Sequence, residues 1–144
     1  MEAIQWTGTQ LRLLDQRRLP HVEDWLALRT CTGVAEAIEN MVVRGAPAIA
    51  IAASYGLVLA MRKGVPREQA SAQLLASRPT AVNLRWALER LAQVPDEQLE
   101  AAAVAIHEED LEINRTLGAH GGPLLSGGVL TICNTGALAT AGWG

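Results

Sequence analysis

A chain of 144 residues, 49% of them apolar, holds enough nonpolar side chain for one domain-sized core and is not the composition of a disordered segment. Aromatics are scarce, with four Trp, one Tyr and no Phe, so Ala, Leu and Val must fill that core, as they do in helical interiors. The net charge is −3 and the Lys and Arg residues are scattered without interleaved aromatics, which speaks against nucleic-acid binding through a basic patch.

The opening residues, MEAIQWTGTQ, lack the basic-then-apolar order of a signal peptide. The longest apolar run, Pro47 to Met61, falls short of the roughly 20 residues that span a bilayer and reads as a buried helix. With only Cys31 and Cys133, reduced thiols in a cytoplasm are the expectation, with no membrane partner.

In chain order, Ile4–Trp6 and Leu11–Leu14 flank Thr7-Gly8-Thr9 and predict a small β-hairpin, after which Leu19-Pro20 breaks regular structure. From Thr32, read as a cap, Val34, Ile38, Met41 and Val42 share one helical face. That helix is expected to end near Arg44-Gly45. Pro47 then opens a helix that is apolar on all sides and stops at Gly64. Pro66 opens another, ending near Ser77. Pro79 opens a fourth, with Leu84, Leu88 and Leu91 in one row and Val82, Trp86 and Arg90 beside it. Pro95 starts the last long helix, which closes before Gly121-Gly122-Pro123.

Beyond Gly121 the pattern changes. A Gly-rich loop leads into Val129-Leu130-Thr131-Ile132-Cys133, β-branched and apolar on both faces like a parallel strand covered by helices. The fold class expected is therefore mainly α. Residues 1–122 form a helical N-terminal domain with a β-hairpin, and residues 123–144 are the first strand and helix start of a Rossmann-like α/β domain. One strand makes no sheet, so the rest must come from another chain or from a longer one.

Three places carry candidate chemistry. At VVRGAPAI, Arg44 stands at a chain reversal, Gly45 lets backbone approach a ligand, and the free N–H groups of a helix start favour an anion. The alternative is a structural corner whose Arg caps the preceding carbonyls. SRPTAVNL repeats the device with Arg78, Thr80 and Asn83, again with a surface Arg as the alternative. Cys133 ends the expected strand, where ligands of open α/β sheets bind, while a buried structural Cys is its plain reading. His107 and Asp110 have an i, i+3 spacing that metals sometimes use, but no second such pair completes a ligand set; Asp110 and Asn114 read as structural hydrogen-bonders.

MVVRGAPAIAIAASYG, ASRPTAVNLRWAL, EEDLEINRTLGAHG and LTICNTGALATAGWG, in this order, closely resemble the S-methyl-5-thioribose-1-phosphate isomerases of methionine salvage. The wider family includes regulatory subunits of the translation-initiation nucleotide-exchange factor and ribose-1,5-bisphosphate isomerases. The resemblance covers the whole chain but only the first part of the family's usual length. It implies a helical domain followed by a Rossmann-like one, and an aldose–ketose isomerisation that needs no cofactor or metal. It implies substrate contacts from Arg44, Gly45, Ala46 and Arg78, and a catalytic Cys133 that either moves a proton or stabilises shifting charge. The partners implied are a phosphorylated sugar, the C-terminal domain of the same protein and a second copy in a dimer. The family's catalytic Asp and a substrate-binding Asn-Lys pair lie past residue 144, so this stretch alone is expected to be inactive. An interaction protein akin to the exchange-factor subunits is the competing expectation.

Overall fold

The hairpin forms where turn chemistry and apolar flanks place it. In a computed structural model that describes residues 2–144, strands β1 (Ile4–Trp6) and β2 (Leu11–Leu14) pair antiparallel with Ile4 opposite Leu13 and Trp6 opposite Leu11. Gly8 takes φ +82° in the turn, a conformation open to glycine without strain. A third strand, β3 (Trp25–Leu28), pairs with β2 and completes the order β1-β2-β3. The sequence does not announce it: Trp-Leu-Ala-Leu has no apolar–polar alternation, and this edge strand is only half buried. Ile4, Leu11 and Leu13 are buried in the core shared with the helices.

Helix α1 spans Cys31–Glu39 and is capped by Thr30, not Thr32; the Thr30 hydroxyl accepts the Gly33 N–H at 3.0 Å. It also stops well before Arg44. Asn40 is the C-cap and Met41 turns to φ +58°. The Val42 N–H donates to the Ala37 carbonyl and the Met41 N–H to that of Ile38. This is a Schellman closure with methionine in the left-handed position that glycine normally takes. Buried Val42 and Val43 anchor the link that follows, so the helix ends by their burial and not by a glycine signal.

Helix α2 (Ala46–Arg62) is the axis of the molecule, buried at every position from Ala48 to Ala60. It touches the other helices, α1, α3 (Arg67–Ser77), α4 (Val82–Ala92) and α5 (Leu99–Gly121), as well as β1 and β2. Such a helix can be apolar all round because no face meets water. Gly56 sets how close its neighbours come: a Cβ there would lie 3.0 Å from side-chain atoms of both Val34 and Leu74. The fully buried Ser54 hydroxyl donates to the Ala50 carbonyl at 2.9 Å, which satisfies it within the helix. At the other end Gly64, at φ +72°, closes α2 with a Val65 N–H bond to Ala60.

Helix α4 begins at Val82, later than Pro79 predicts. Arg78 to Ala81 form a turn closed by the Ala81 N–H on the Arg78 carbonyl at 3.0 Å, and Pro79 occupies its second position, where a fixed φ suits a turn as well as a helix start. Leu84, Ala87, Leu88 and Leu91 then face the core. A short 3-10 turn, Asp96–Gln98, leads into α5, and another, Gly122–Leu124, follows it.

The expected strand at 129–133 is not formed. Val129, Leu130 and Ile132 are 64%, 98% and 94% exposed, and none pairs with β1–β3. A strand leaves its backbone groups open without neighbours on either side, and the described residues offer no second sheet. The helix expected after it is a single 3-10 turn, Ala137–Ala139, from which Ala139, Thr140 and Ala141 pack back onto the helices. Mainly α with a small β element holds; the Rossmann strand and helix do not form within these residues.

Candidate active site

The α1–α2 link builds the first corner. Val42 and Val43 are 2% and 1% exposed, which forces Arg44 outward. Gly45, at φ +102°, is the N-cap of α2, and Pro47 lies in the helix's first turn. Glycine is required twice over, since a Cβ would also fall 2.5 Å from the Cα and carbonyl oxygen of Ala139. No side chain caps this start and no acidic residue lies in its first turn, so the positive end of the longest buried helix is left for an outside anion. The Arg44 guanidinium reaches the Gln16 carbonyl at 3.4 Å and pairs with no carboxylate among the described residues.

Arg78, the C-cap of α3, is half buried and likewise has no carboxylate partner. Arg12, Arg29, Arg85 and Arg115 also lack one among the described residues, whereas other arginines are committed to acids. Arg17 pairs with Asp15 at 2.7 Å, Arg90 with Glu109, Arg67 with Asp96 and Arg62 with Glu100. Arg17 holds the buried Asp15 carboxyl below its usual range through their side-chain hydrogen bond. Arg44 and Arg78 keep their donors uncommitted to acids.

A groove of about 450 Å³ lies between the start of α2, the start of α4 and the middle of α5, and neither Arg44 nor Arg78 is among the residues that line it. Pro47, next after Arg44-Gly45-Ala46, lines it, as do Val82 and Asn83, which follow the Arg78 turn. Ile51 and Trp86 make its walls apolar, and Asp110 is an acidic group on its edge. Glu109 lines it as well, so the charged groups on the groove itself are two carboxylates, and a groove of this size with mostly apolar walls suits a small molecule.

Cys133 does not line that groove. Its thiol is free and exposed, and its backbone sits at φ +95°, a strained value for a residue with a Cβ. The residues after it do return to the site. The Leu138 carbonyl accepts from Gln16 Nε2 at 2.8 Å, Ala139 packs on Gly45, and the Ala141 N–H donates to Asp110 Oδ2 at 2.8 Å. His107 Nε2 lies 3.4 Å from the Ala141 carbonyl, and its Nδ1 lies 3.0 Å from the Tyr55 hydroxyl. Gln16 is missing from the sequence reading, which assigned no role to the hairpin's exit. Asp110 and Asn114 are structural hydrogen-bonders as expected, but not to a neighbouring helix end or the Gly-rich turn: Asp110 accepts from Ala141, and Asn114 Nδ2 donates to the Asp110 carbonyl within α5. His107 and Asp110 spend their i, i+3 spacing on the backbone of one residue, Ala141; no cluster of three metal-ligating side chains exists among the described residues. Cys31 is buried in the core, its thiol pushed up to about 11 by burial and thus inert.

Residues 42–141 match the family model described as the Initiation factor 2 subunit family. The chain is 51% identical to the methylthioribose-1-phosphate isomerase of Alkalilimnicola ehrlichii and 46% identical to that of Nitrosococcus oceani, in each case over 100% of this chain and 47% of the relative. Among solved structures, the 5-methylthioribose 1-phosphate isomerase of Pyrococcus horikoshii OT3 superposes with a TM-score of 0.89 at 35% identity, over 99% of this chain and 46% of that one. The translation initiation factor eIF-2B subunit delta of A. fulgidus superposes with a TM-score of 0.86 at 36% identity, over 100% of this chain and 48% of that one. The chain thus spans about half the length of the curated relatives it matches. By the match over residues 42–141, it belongs to the Initiation factor 2 subunit family.

Proposed function

We propose that this chain is the phosphate-gripping half of an aldose–ketose isomerase that converts 5-methylthioribose 1-phosphate to 5-methylthioribulose 1-phosphate in methionine salvage. The observation that carries the reading is the pair of arginine corners without acidic partners, each followed by a helix whose start lines one groove. The isomerase names of the relatives at 51% and 46% identity supply the reaction.

The chemistry uses those residue types. A sugar 1-phosphate has its anomeric carbon blocked, so the ring must open with the phosphate retained. Hydrogen must then pass from the second carbon to the first. Arg44, the N–H groups of Gly45 and Ala46 at the α2 start, and Arg78 take the phosphate as charge-assisted donors. The apolar groove wall excludes water from the reacting carbons. Cys133 is the catalytic group of this half, and the turn that carries it must close over the groove. In the longer chain residues 123–144 open a Rossmann-like domain, and the apolar run at 129–133 becomes a strand once a sheet is beside it. That domain supplies the remaining acid–base groups. The protein works in the cytoplasm, as a dimer and without a cofactor.

The test is turnover by this chain continued with the residues of the Alkalilimnicola ehrlichii relative that lie beyond the match. Turnover by the extended protein is expected, with a loss on the order of 10²–10⁴ in kcat for Cys133→Ser, the range for removing a group that moves a proton. Undiminished turnover by Cys133→Ser would remove the catalytic assignment. A second reading, an assembly subunit, draws on the likeness to the initiation-factor subunit, whose TM-score of 0.86 is close to that of the isomerase. Calorimetry separates them: phosphosugar binding lost in Arg44→Ala supports the enzyme, whereas tight binding to an initiation factor with no sugar binding supports the assembly role.

A further inference from the structure

The stretch that follows Cys133 is fastened more elaborately than its length requires. Gln16, at the exit of β2, is 2% exposed and ties three pieces of chain together. Its N–H donates to the Val42 carbonyl at 3.0 Å, its own carbonyl receives Arg44 Nη2, and its Nε2 donates to the Leu138 carbonyl at 2.8 Å. Its Oε1 is buried with no partner. A stranded acceptor of this kind costs about 1–3 kcal/mol, and a leucine would fill similar space without it. Stability alone therefore does not account for an amide here. What the amide adds is the one bond to Leu138.

On the other side, Asp110 and His107, one helical turn apart on α5, hold the N–H and the carbonyl of a single residue, Ala141. Asp110 Oδ2 accepts the Ala141 N–H, and His107 Nε2 faces the Ala141 carbonyl. A carbonyl can only accept, so Nε2 carries the proton in this contact and Nδ1 accepts from Tyr55. The Tyr55 hydroxyl is the donor of that pair, and burial raises it above the ordinary phenol range; its ring stacks on Trp6 at 4.8 Å. The chain His107–Tyr55–Trp6 thus roots the Ala141 contact in α2 and β1. Between these fastenings Ala139 sits against Gly45, where no Cβ could fit.

We infer that Gln16, His107 and Asp110 are positioning residues that latch Leu138–Ala141 onto the helical body and so set where the Cys133 turn stands against the Arg44 corner. The role rests on the isomerase reading and is exerted through the backbone of Leu138 and Ala141; of the three, Asp110 alone also lines the groove. A displacement on the order of 1 Å at a reacting group can cost about 10²-fold in rate, which is the leverage such a latch has.

Two measurements test it. Amide hydrogen exchange on this chain is expected to quicken more than about tenfold at Ala141 and its neighbours in Asp110→Ala, with α2 amides unchanged and Asp110→Asn restoring protection, since an amide oxygen can still accept the N–H. In the extended protein, Gln16→Leu is expected to lower kcat at least about tenfold with KM within about twofold, because Gln16 does not line the groove and the phosphate grip is left whole; Asp110→Ala should lower kcat likewise, and Asp110→Asn should recover most of it. Unchanged exchange overturns the latch. Quickened exchange with unchanged kcat overturns its positioning role. If the unsubstituted extended protein fails to turn over, the isomerase reading falls and the positioning role with it, while the exchange result still reports the latch by itself.

Discussion

Two apolar runs in this chain look alike as strings of letters and have opposite fates. Ala48 to Ala60 is buried from end to end, whereas Val129 to Ile132 stands in solvent. The difference is where their backbone hydrogen bonds go. A helix closes its own ladder, so α2 satisfies its backbone by itself while four helices and two strands pack around it. A strand has nothing until a neighbour arrives. Burial of an apolar segment is thus decided by what its backbone can pair with, and side-chain hydropathy comes second.

The largest test of that contrast is Leu57→Ala, at a fully buried position of α2. It should cost about 2–5 kcal/mol, read as a lower urea midpoint at unchanged slope, because a packed interior cannot collapse onto the cavity. Gly45→Ala probes the seam between the two regions. It combines a φ of +102° with a clash against the Ala139 backbone, and a loss of about 1–3 kcal/mol is expected, with faster exchange at 138–141 than in α2. Smallest should be Ile132→Ser in the exposed run, within about 0.5 kcal/mol of the parent in the same titration. A loss as large as that of Leu57→Ala would mean that this run is covered in solution.

Where sequence signals were local, they were legible. Thr-Gly-Thr between apolar flanks gave the hairpin, and Pro47 with Gly64 bracketed α2 to within a residue or two. Where tertiary burial overrode a local signal, they were not. Val42 and Val43 end α1 with Met41 in a glycine's conformation, and Pro79 serves a turn instead of a helix start. β3 has no periodicity to read. The arginines at 44 and 78 could be singled out because each precedes a helix, but the groove lined by the starts of those two helices depends on how α2, α4 and α5 cross. Gln16 carries no sequence mark at all: its importance comes from touching Leu138, far along the chain. The motifs resembling the isomerases pointed to the corners before any geometry did.

The burial of α2 also bears on how cheaply the protein can hold a ligand. Gly45 and Ala46 stand at the tip of the most enclosed helix in the molecule, tethered below by Val42 and Val43 and faced by Ala139. Backbone donors mounted there have little freedom left to surrender when an anion arrives. Under the proposed function, the entropy of ordering that part of the site was spent when the chain folded, and the interaction energy at the corner can go into affinity.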